Sequence, residues 1–417
     1  MVTLSPEREL WGFLLLGGWA GLVAYALEYR RVPVWVYGYL VLKVFAAWAF
    51  AWVYCCYYCD GDTLKAYSTA GRIWHYLINE PAKGIALLLR EFSPAWEAQG
   101  WELYYQDVAI HDYDYDYKPK VNYRFARLLV PFYGAVGGGY YGMQGLVALV
   151  SGLLWYMAYE KWRRLIPLRG VWLGIWLVWP SSLFWASGLL RDSLALPLFL
   201  YLVGWGSSLR DFRADAGWRG IGAVLGLLLL RSEMVPLAVG LGLGWRLRWH
   251  RWWQWAGAGV LAWGLLWFLA GEFCRYRAYW LSPTERPDLL ASEHLFVITC
   301  AEGVWASVWS WTQGAFYGLT GPYIWQARRG IVALAAIEML CLWGVWLWQI
   351  KKSGLHVEGR GRSWFLLGAG VFMVGLMGMA MPFWGTLMRH RLYGLYLIVL
   401  GLVGISQRPQ EGERSVG

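Results

Sequence analysis

Long apolar runs alternate with short polar segments along this chain. The runs lie near 10–28, 34–57, 138–159, 171–190, 193–208, 254–271, 330–349, 364–385 and 392–406. Each approaches the roughly 20 residues that a helix needs to cross hydrocarbon. The run at 193–208 is short for that task, so it is expected to run straight or to re-enter partway. Hydrocarbon offers no partner for backbone N–H and C=O groups, so such runs predict helices rather than isolated strands. A further run, 220–244, is interrupted by Arg231-Ser232-Glu233.

Basic residues in short loops set the expected orientation. They group as Lys161, Arg163, Arg164 and Arg169; as Arg210, Arg213 and Arg219; as Arg246, Arg248 and Arg251; as Lys351, Lys352, Arg360 and Arg362; and as Arg30 with Arg31. Placing all of them in the cytoplasm puts the N-terminus outside and the C-terminus inside. Segments 58–137 and 272–329 then become extracytoplasmic loops. Both flanks of 220–244 are basic, so that run is expected to go in and return as two short helices, each rising about 17 Å. Arg231-Ser232-Glu233 would be the buried apex of this re-entrant hairpin, because irregular backbone at that depth needs protein or a water-filled cavity around it. The competing reading is one long helix with Arg231 and Glu233 at mid-depth, which breaks the charge rule at one loop. The expected fold is therefore all-α: one polytopic membrane module over 1–417, with about nine full spans plus the hairpin. Within 58–137, the amphipathic stretch Leu64–Ile78 and a second run opened by Pro81 predict interfacial helices. Glu7, Arg8 and Glu9 precede the first run in place of a basic leader, so no cleaved signal peptide is expected.

Composition agrees. Hydrophobic residues make up 58% and charged residues 15%, against about 25% charged in soluble domains. The 33 Trp and 27 Tyr fall largely at run ends, where amphipathic rings suit the headgroup zone. The net charge of +10 is spread over the basic loops, with no basic domain, so no nucleic-acid partner is expected. Cys55, Cys56 and Cys59 cluster, Cys274 and Cys300 share one loop, and Cys341 lies in an apolar run. That spacing suits no zinc site and contains no Cys-x-x-Cys-His. Cys274 and Cys300 are either a bridge or two free thiols.

Four polar clusters reach the same outer face in this topology: Asp60-Gly61-Asp62, Arg191-Asp192, Arg231-Ser232-Glu233 and Arg389-His390-Arg391. Arginine presents a planar fork of donors suited to phosphate oxygens. A carboxylate at Asp60 or Asp62 suits a general base for an acceptor hydroxyl, or a ligand for a divalent cation, Mg or Mn. Each cluster also has a structural reading. Asp62 suits a helix N-cap, Arg191 and Asp192 an ion pair closing helix ends, Arg231 and Glu233 a mutual pair, and Arg389 and Arg391 snorkelling anchors. Asp112, Asp114 and Asp116 alternate with tyrosines, a pattern that suits a solvated loop better than a calcium site.

The order of these motifs resembles bacterial polytopic GT-C-type glycosyltransferases and the related polymerases and ligases of surface polysaccharide. The resemblance rests on Gly61-Asp62-Thr63 after an early span and on Pro180-Ser-Ser-Leu-Phe-Trp-Ala-Ser-Gly-Leu-Leu-Arg-Asp-Ser193. The Arg-bearing break at 231–233 and Gly385-Thr-Leu-Met-Arg-His-Arg391 complete it. It implies an inner-membrane, multi-pass enzyme with an extracytoplasmic site, a polyprenyl-(di)phosphate-linked sugar as donor, and a glycan or lipid-linked acceptor. Asp60 or Asp62 would then be base or metal ligand. Arg191 and Arg231 would contact carrier phosphate, with Asp192 and Glu233 beside them. Arg389, His390 and Arg391 would lie along the lipid carrier. The sequence departs from the pattern in having no large soluble C-terminal domain, in His390 where an aromatic is commoner, and in Arg231 standing apart from Pro236. The alternative is a non-enzymatic subunit of a membrane complex, motivated by the aromatic load and the 51 glycines that favour close helix packing.

Overall fold

The computed structural model describes residues 5–58, 62–89, 119–166, 170–206, 214–246, 304–326, 330–353, 361–381 and 383–406, with single positions elsewhere (168, 254, 257, 260, 264, 272–275, 277, 278 and 298). Among the described residues the chain is helical. In order, the helices are α1 (Pro6–Tyr29), α2 (Val34–Trp52, prolonged by a wider π-helical turn, Val53–Tyr58), α3 (Asp62–Asn79), α4 (Pro81–Leu89), α5 (Pro119–Ala135), α6 (Tyr140–Trp162), α7 (Val171–Val178), α8 (Pro180–Trp185), α9 (Arg191–Gly206), α10 (Ala214–Arg231), α11 (Met234–Arg246), α12 (Val304–Thr320), α13 (Gly330–Ser353), α14 (Gly361–Ala380), α15 (Trp384–His390) and α16 (Leu392–Ser406).

Among the described residues, Pro6–Tyr29, Val34–Cys56, Tyr140–Trp162 and Gly361–Ala380 are long and apolar enough to cross a membrane. Trp384–His390 and Leu392–Ile405 qualify together as a pair bent by 46°. The outer surface of α1 carries Leu10, Trp11, Leu14, Leu22 and Tyr25, all exposed. So continuous an apolar face suits lipid rather than water.

Two expected spans differ from the structure. The run 171–190 is not one helix. It ends at Val178, and Trp179 takes an extended conformation (φ −56°, ψ 117°). Pro180 follows, and the proline ring clashes with a helical residue before it. The run 364–385 ends at Ala380. Arg389 and His390 close a separate short helix, α15, and Arg391 is the turn residue at its 46° bend into α16, the last described helix. The run 254–271 falls almost wholly outside the described residues, as do Asp112, Asp114 and Asp116.

The described chain divides into two compact units, each assembled from separated segments: 1–159, 182–198 and 221–235 in one, and 160–181, 199–220 and 236–417 in the other. In the first unit, α1 and α6 approach through Gly12, Gly139 and Gly142, where a side chain would strike the facing backbone. The Glu9 carboxylate accepts from the backbone N–H groups of Tyr140 (2.8 Å) and Tyr141 (3.0 Å). It thus satisfies donors that the first turn of α6 leaves without an intrahelical partner. Helix α3 lies on α5, with Gly71 under the Tyr133 ring and Gly134 under Trp74. The start of α3 is tied down by Thr63 against the Tyr140 hydroxyl (3.2 Å) and by the Tyr67 hydroxyl donating to the Gly138 carbonyl (2.6 Å). Burial pushes the Tyr67 phenol well up from its ordinary value, which keeps it a donor at neutral pH.

Helix α16 is the core of the second unit. Tyr393, Leu395, Tyr396, Leu397, Val399, Leu400 and Val403 are all fully buried, as in a helix enclosed on every side. Gly370 meets Gly394 where α14 crosses α16, and Gly314 meets Gly378 where α12 crosses α14. Cys274 forms a disulfide whose partner lies outside the described residues, and Cys55, Cys56 and Cys341 are free.

Replacing Gly378 by Val should lower the thermal midpoint of the detergent-solubilised protein, because its Cβ would collide with Gly314; overpacking of this kind costs about 1–3 kcal/mol. Gly368→Ala, where a Cβ meets open space, should leave the midpoint unchanged or raise it. Equal midpoints for the two variants would contradict the packing described.

Candidate functional site

The break that Pro180 imposes is followed by a second. Helix α8 ends at Trp185, Ala186 keeps one last helical bond back to it, and residues 187–190 cross to α9 outside any helix. Few local bonds hold this connector: Ala186 N–H donates to the Ser182 carbonyl (2.8 Å), Leu190 N–H to Gly188 (2.7 Å) and Ser193 N–H to Leu190 (3.1 Å). Gly188 presses on the Phe50 ring of α2, leaving no room for a side chain. Irregular backbone inside an apolar chain persists only where other groups satisfy it.

Those groups come from α2 and α6. The Lys43 ammonium, 1% exposed, donates to the Ala186 carbonyl and lies 5.7 Å from the Trp155 ring centroid. The Ser151 hydroxyl is shared between the carbonyls of Ala186 (2.9 Å) and Ser193 (2.7 Å). Gln144 Oε1 accepts from Leu189 N–H (2.8 Å), and the Ser193 hydroxyl donates to the Gly188 carbonyl (2.5 Å).

At the far end of the connector, Asp192 in the first turn of α9 receives Arg231 from the last turn of α10. Nε donates to Oδ1 (2.8 Å) and NH2 to Oδ2 (3.0 Å), a bidentate pair. Asp192 is 2% and Arg231 7% exposed, whereas Glu233 is largely in the open and only 3.5 Å from NH1. Arg231 therefore matches Asp192, and Glu233 is a peripheral neighbour. The adjacent Arg191 is partly exposed.

A second set of buried polar groups belongs to the other unit. The Glu338 carboxylate, inside α13, accepts from Ser181 N–H (2.7 Å) and from the Ser181 hydroxyl. It thereby satisfies the backbone just past the Pro180 break. Arg391, 1% exposed, donates through NH1 to the carbonyls of Gly318 (3.0 Å) and Gly321, where α12 ends, and is in electrostatic reach of Glu338. His390 bonds through Nδ1 to the Thr386 carbonyl (2.8 Å), and Arg389 is half-buried.

The residues singled out by sequence thus divide. Asp192 and Arg231 are brought into contact. Arg391 places NH1 on backbone carbonyls in the second unit. Asp62 is the first residue of α3, its side chain outside the described set, and Asp60 lies outside it altogether. Among the described residues no three His, Cys, Asp or Glu side chains gather as a metal site would require. Lys43 and Glu338 carried a sequence signal, a charge within an apolar run. Gln144 and Ser151 carried a weaker one, polar residues seven apart on one helix face. No family model, curated protein or solved structure matches the chain.

Breaking the buried pair from one side should be costly. Arg231→Met or Asp192→Leu alone should lower the melting midpoint sharply, since an uncompensated buried charge costs about 3–5 kcal/mol. The double variant should recover most of the loss. A double variant as unstable as the sum of the singles would show that the two do not act as a pair.

Proposed function

We propose that this chain is a membrane glycosyltransferase of the extracytoplasmic face of a bacterial inner membrane. It takes a sugar from a polyprenyl-(di)phosphate carrier and passes it to a glycan or lipid-linked hydroxyl. The observation that carries this reading is the broken backbone of residues 179–190 within an apolar run, ending at the buried Asp192–Arg231 pair. Buried charge and irregular backbone at such positions are costly to build and commonly mark a substrate path. The acceptor oxygen attacks the anomeric carbon and the carbon–oxygen bond to the carrier phosphate breaks. The phosphate keeps the electron pair, and the acceptor proton passes to Asp62 or Asp60, with inversion at the sugar carbon. Arg191, partly exposed at the end of the connector, faces the departing phosphate. Asp192 and Arg231 are positioning residues that hold that end in place. Arg389 lies along the lipid carrier.

The finer topology belongs to the same proposal: about nine spans, N-terminus outside, and α10 with α11 as a re-entrant pair. It is supported by α10 running back along α9, with Leu198 on Gly226 and Trp205 over Gly220, while Gly206 meets Gly242 of α11. The disulfide at Cys274 suits an oxidising compartment for segment 272–329. Gly12 of α1 and many glycines of α6, α12, α14 and α16 are used in packing within the chain, which weakens the motive for a purely structural subunit.

Asp60→Asn, Asp62→Asn and Arg191→Ala, each restored to a deletion strain, should include at least one variant with surface glycan reduced more than about tenfold at normal protein level, the loss typical of a missing acid–base group. Full glycan in all three would remove the proposal.

A further inference from the structure

Helix α6 carries three polar side chains on one buried face. Tyr140, Gln144 and Ser151 are each fully buried, and their spacing puts them on one side of a helix. That helix is long and apolar enough to cross a membrane, where a polar group is costly unless it serves a partner. Each of the three serves a different point of the chain. The Tyr140 hydroxyl shares a hydrogen bond with Thr63 Oγ1 (3.2 Å), in the first turn of α3 and one residue after Asp62. Gln144 Oε1 takes the Leu189 N–H (2.8 Å), two residues before Arg191. Ser151 holds the carbonyls of Ala186 and Ser193, one on each side of Arg191. The Gln144 amide also acts on the Tyr140 hydroxyl, one helical turn away, so the first two contacts meet. The start of α6 is itself anchored, because Glu9 takes the N–H groups of Tyr140 and Tyr141.

We propose that Tyr140 and Gln144 are positioning residues, and that α6 acts as a ruler between two parts of the reaction centre. It sets the start of α3, whose first residue is Asp62, against the end of the connector that carries Arg191. All of these residues belong to the first compact unit. A phenol and an amide make short directional bonds and carry no charge, so they fix a backbone group and a hydroxyl without competing for a phosphate. Neither touches substrate; both act through Thr63 and Leu189. Misplacing a reacting group by about 1 Å costs up to about 100-fold in rate, which is why a base and a phosphate-facing arginine from separate segments need a common support. The inference rests on the transfer reading for its consequence and on the hydrogen bonds alone for its geometry.

The test reads spacing and transfer separately in the full chain. Spin labels on genetically encoded residues at Arg72, exposed on α3, and at Ser232, exposed beside Arg231, report the spacing in detergent micelles by pulsed dipolar spectroscopy. Surface glycan in a deletion strain, at equal protein level and without labels, reports transfer. Tyr140→Phe and Gln144→Met should each broaden the distance distribution and lower glycan about tenfold or more. Thr63→Val, which removes the hydroxyl at nearly constant shape, should match Tyr140→Phe. Thr63→Ser, which keeps the hydroxyl, should match the parent in both readouts. If Tyr140→Phe does not accumulate, the Thr63 pair decides. A parental distance distribution in both Tyr140→Phe and Gln144→Met would overturn the ruler, as would a Thr63→Ser protein no better than Thr63→Val. Broadened spacing with full glycan, while Asp62→Asn still loses it, would overturn the positioning role. Broadened spacing with full glycan in these variants and in the Asp60, Asp62 and Arg191 variants alike would sink the transfer reading and leave the ruler standing.

Discussion

A broken helix in an apolar setting leaves backbone N–H and C=O groups that only the protein can satisfy. Everything distinctive in this structure follows from how that demand is met. The chain is interrupted after Val178, again after Trp185, and at the end of α12. At each interruption a charged side chain arrives from another helix. Glu338 takes the N–H and hydroxyl of Ser181, Lys43 donates to the carbonyl of Ala186, and Arg391 donates to the carbonyls of Gly318 and Gly321. Charged groups make stronger hydrogen bonds than neutral ones, which suits them to sites where the alternative is an unpaired backbone group.

Seen this way, several residues that look like ligands by type act first as backbone partners. Arg391 is an arginine near a helix end, yet its NH1 is occupied by two carbonyls. Arg231 is an arginine in a Ser-Glu context, yet its fork is matched to Asp192 across helices. Lys43 likewise reaches a backbone carbonyl, that of Ala186, in the connector between α8 and α9. Glycine is the complementary device: Gly12 against Gly142 and Gly314 against Gly378 let elements approach to backbone distance, and Gly188 lets the connector lie directly on the Phe50 ring, so the breaks can be reached by short side chains such as Ser151.

Much of the helix inventory was legible in sequence because period and length report hydrocarbon burial directly. The first two runs, the run at 138–159 and the run at 392–406 all emerge as helices within a few residues of their expected limits. The Arg231-Ser232-Glu233 interruption also separates two helices, α10 and α11. The run at 171–190 misled because its apolar character continues through Pro180 and Gly188. Hydrophobicity does not register a residue that cannot be helical, although the proline itself was visible. The polar cluster at 389–391 does mark a bend before α16, but the sequence did not reveal the short helix α15 that leads into it, or that His390 bonds to Thr386 and Arg391 to Gly318.

By itself, the amino-acid order determined an all-helical chain built for an apolar environment, because runs of this length cannot be buried or solvated otherwise. It also marked Lys43, Asp192, Arg231 and Glu338 as residues that would be expensive to place. Only the tertiary structure decided which groups offset that expense. Pairing depends on side chains separated by tens to more than a hundred positions, such as Asp192 with Arg231 or Lys43 with Ala186. No local pattern of residues encodes which helix will lie beside which.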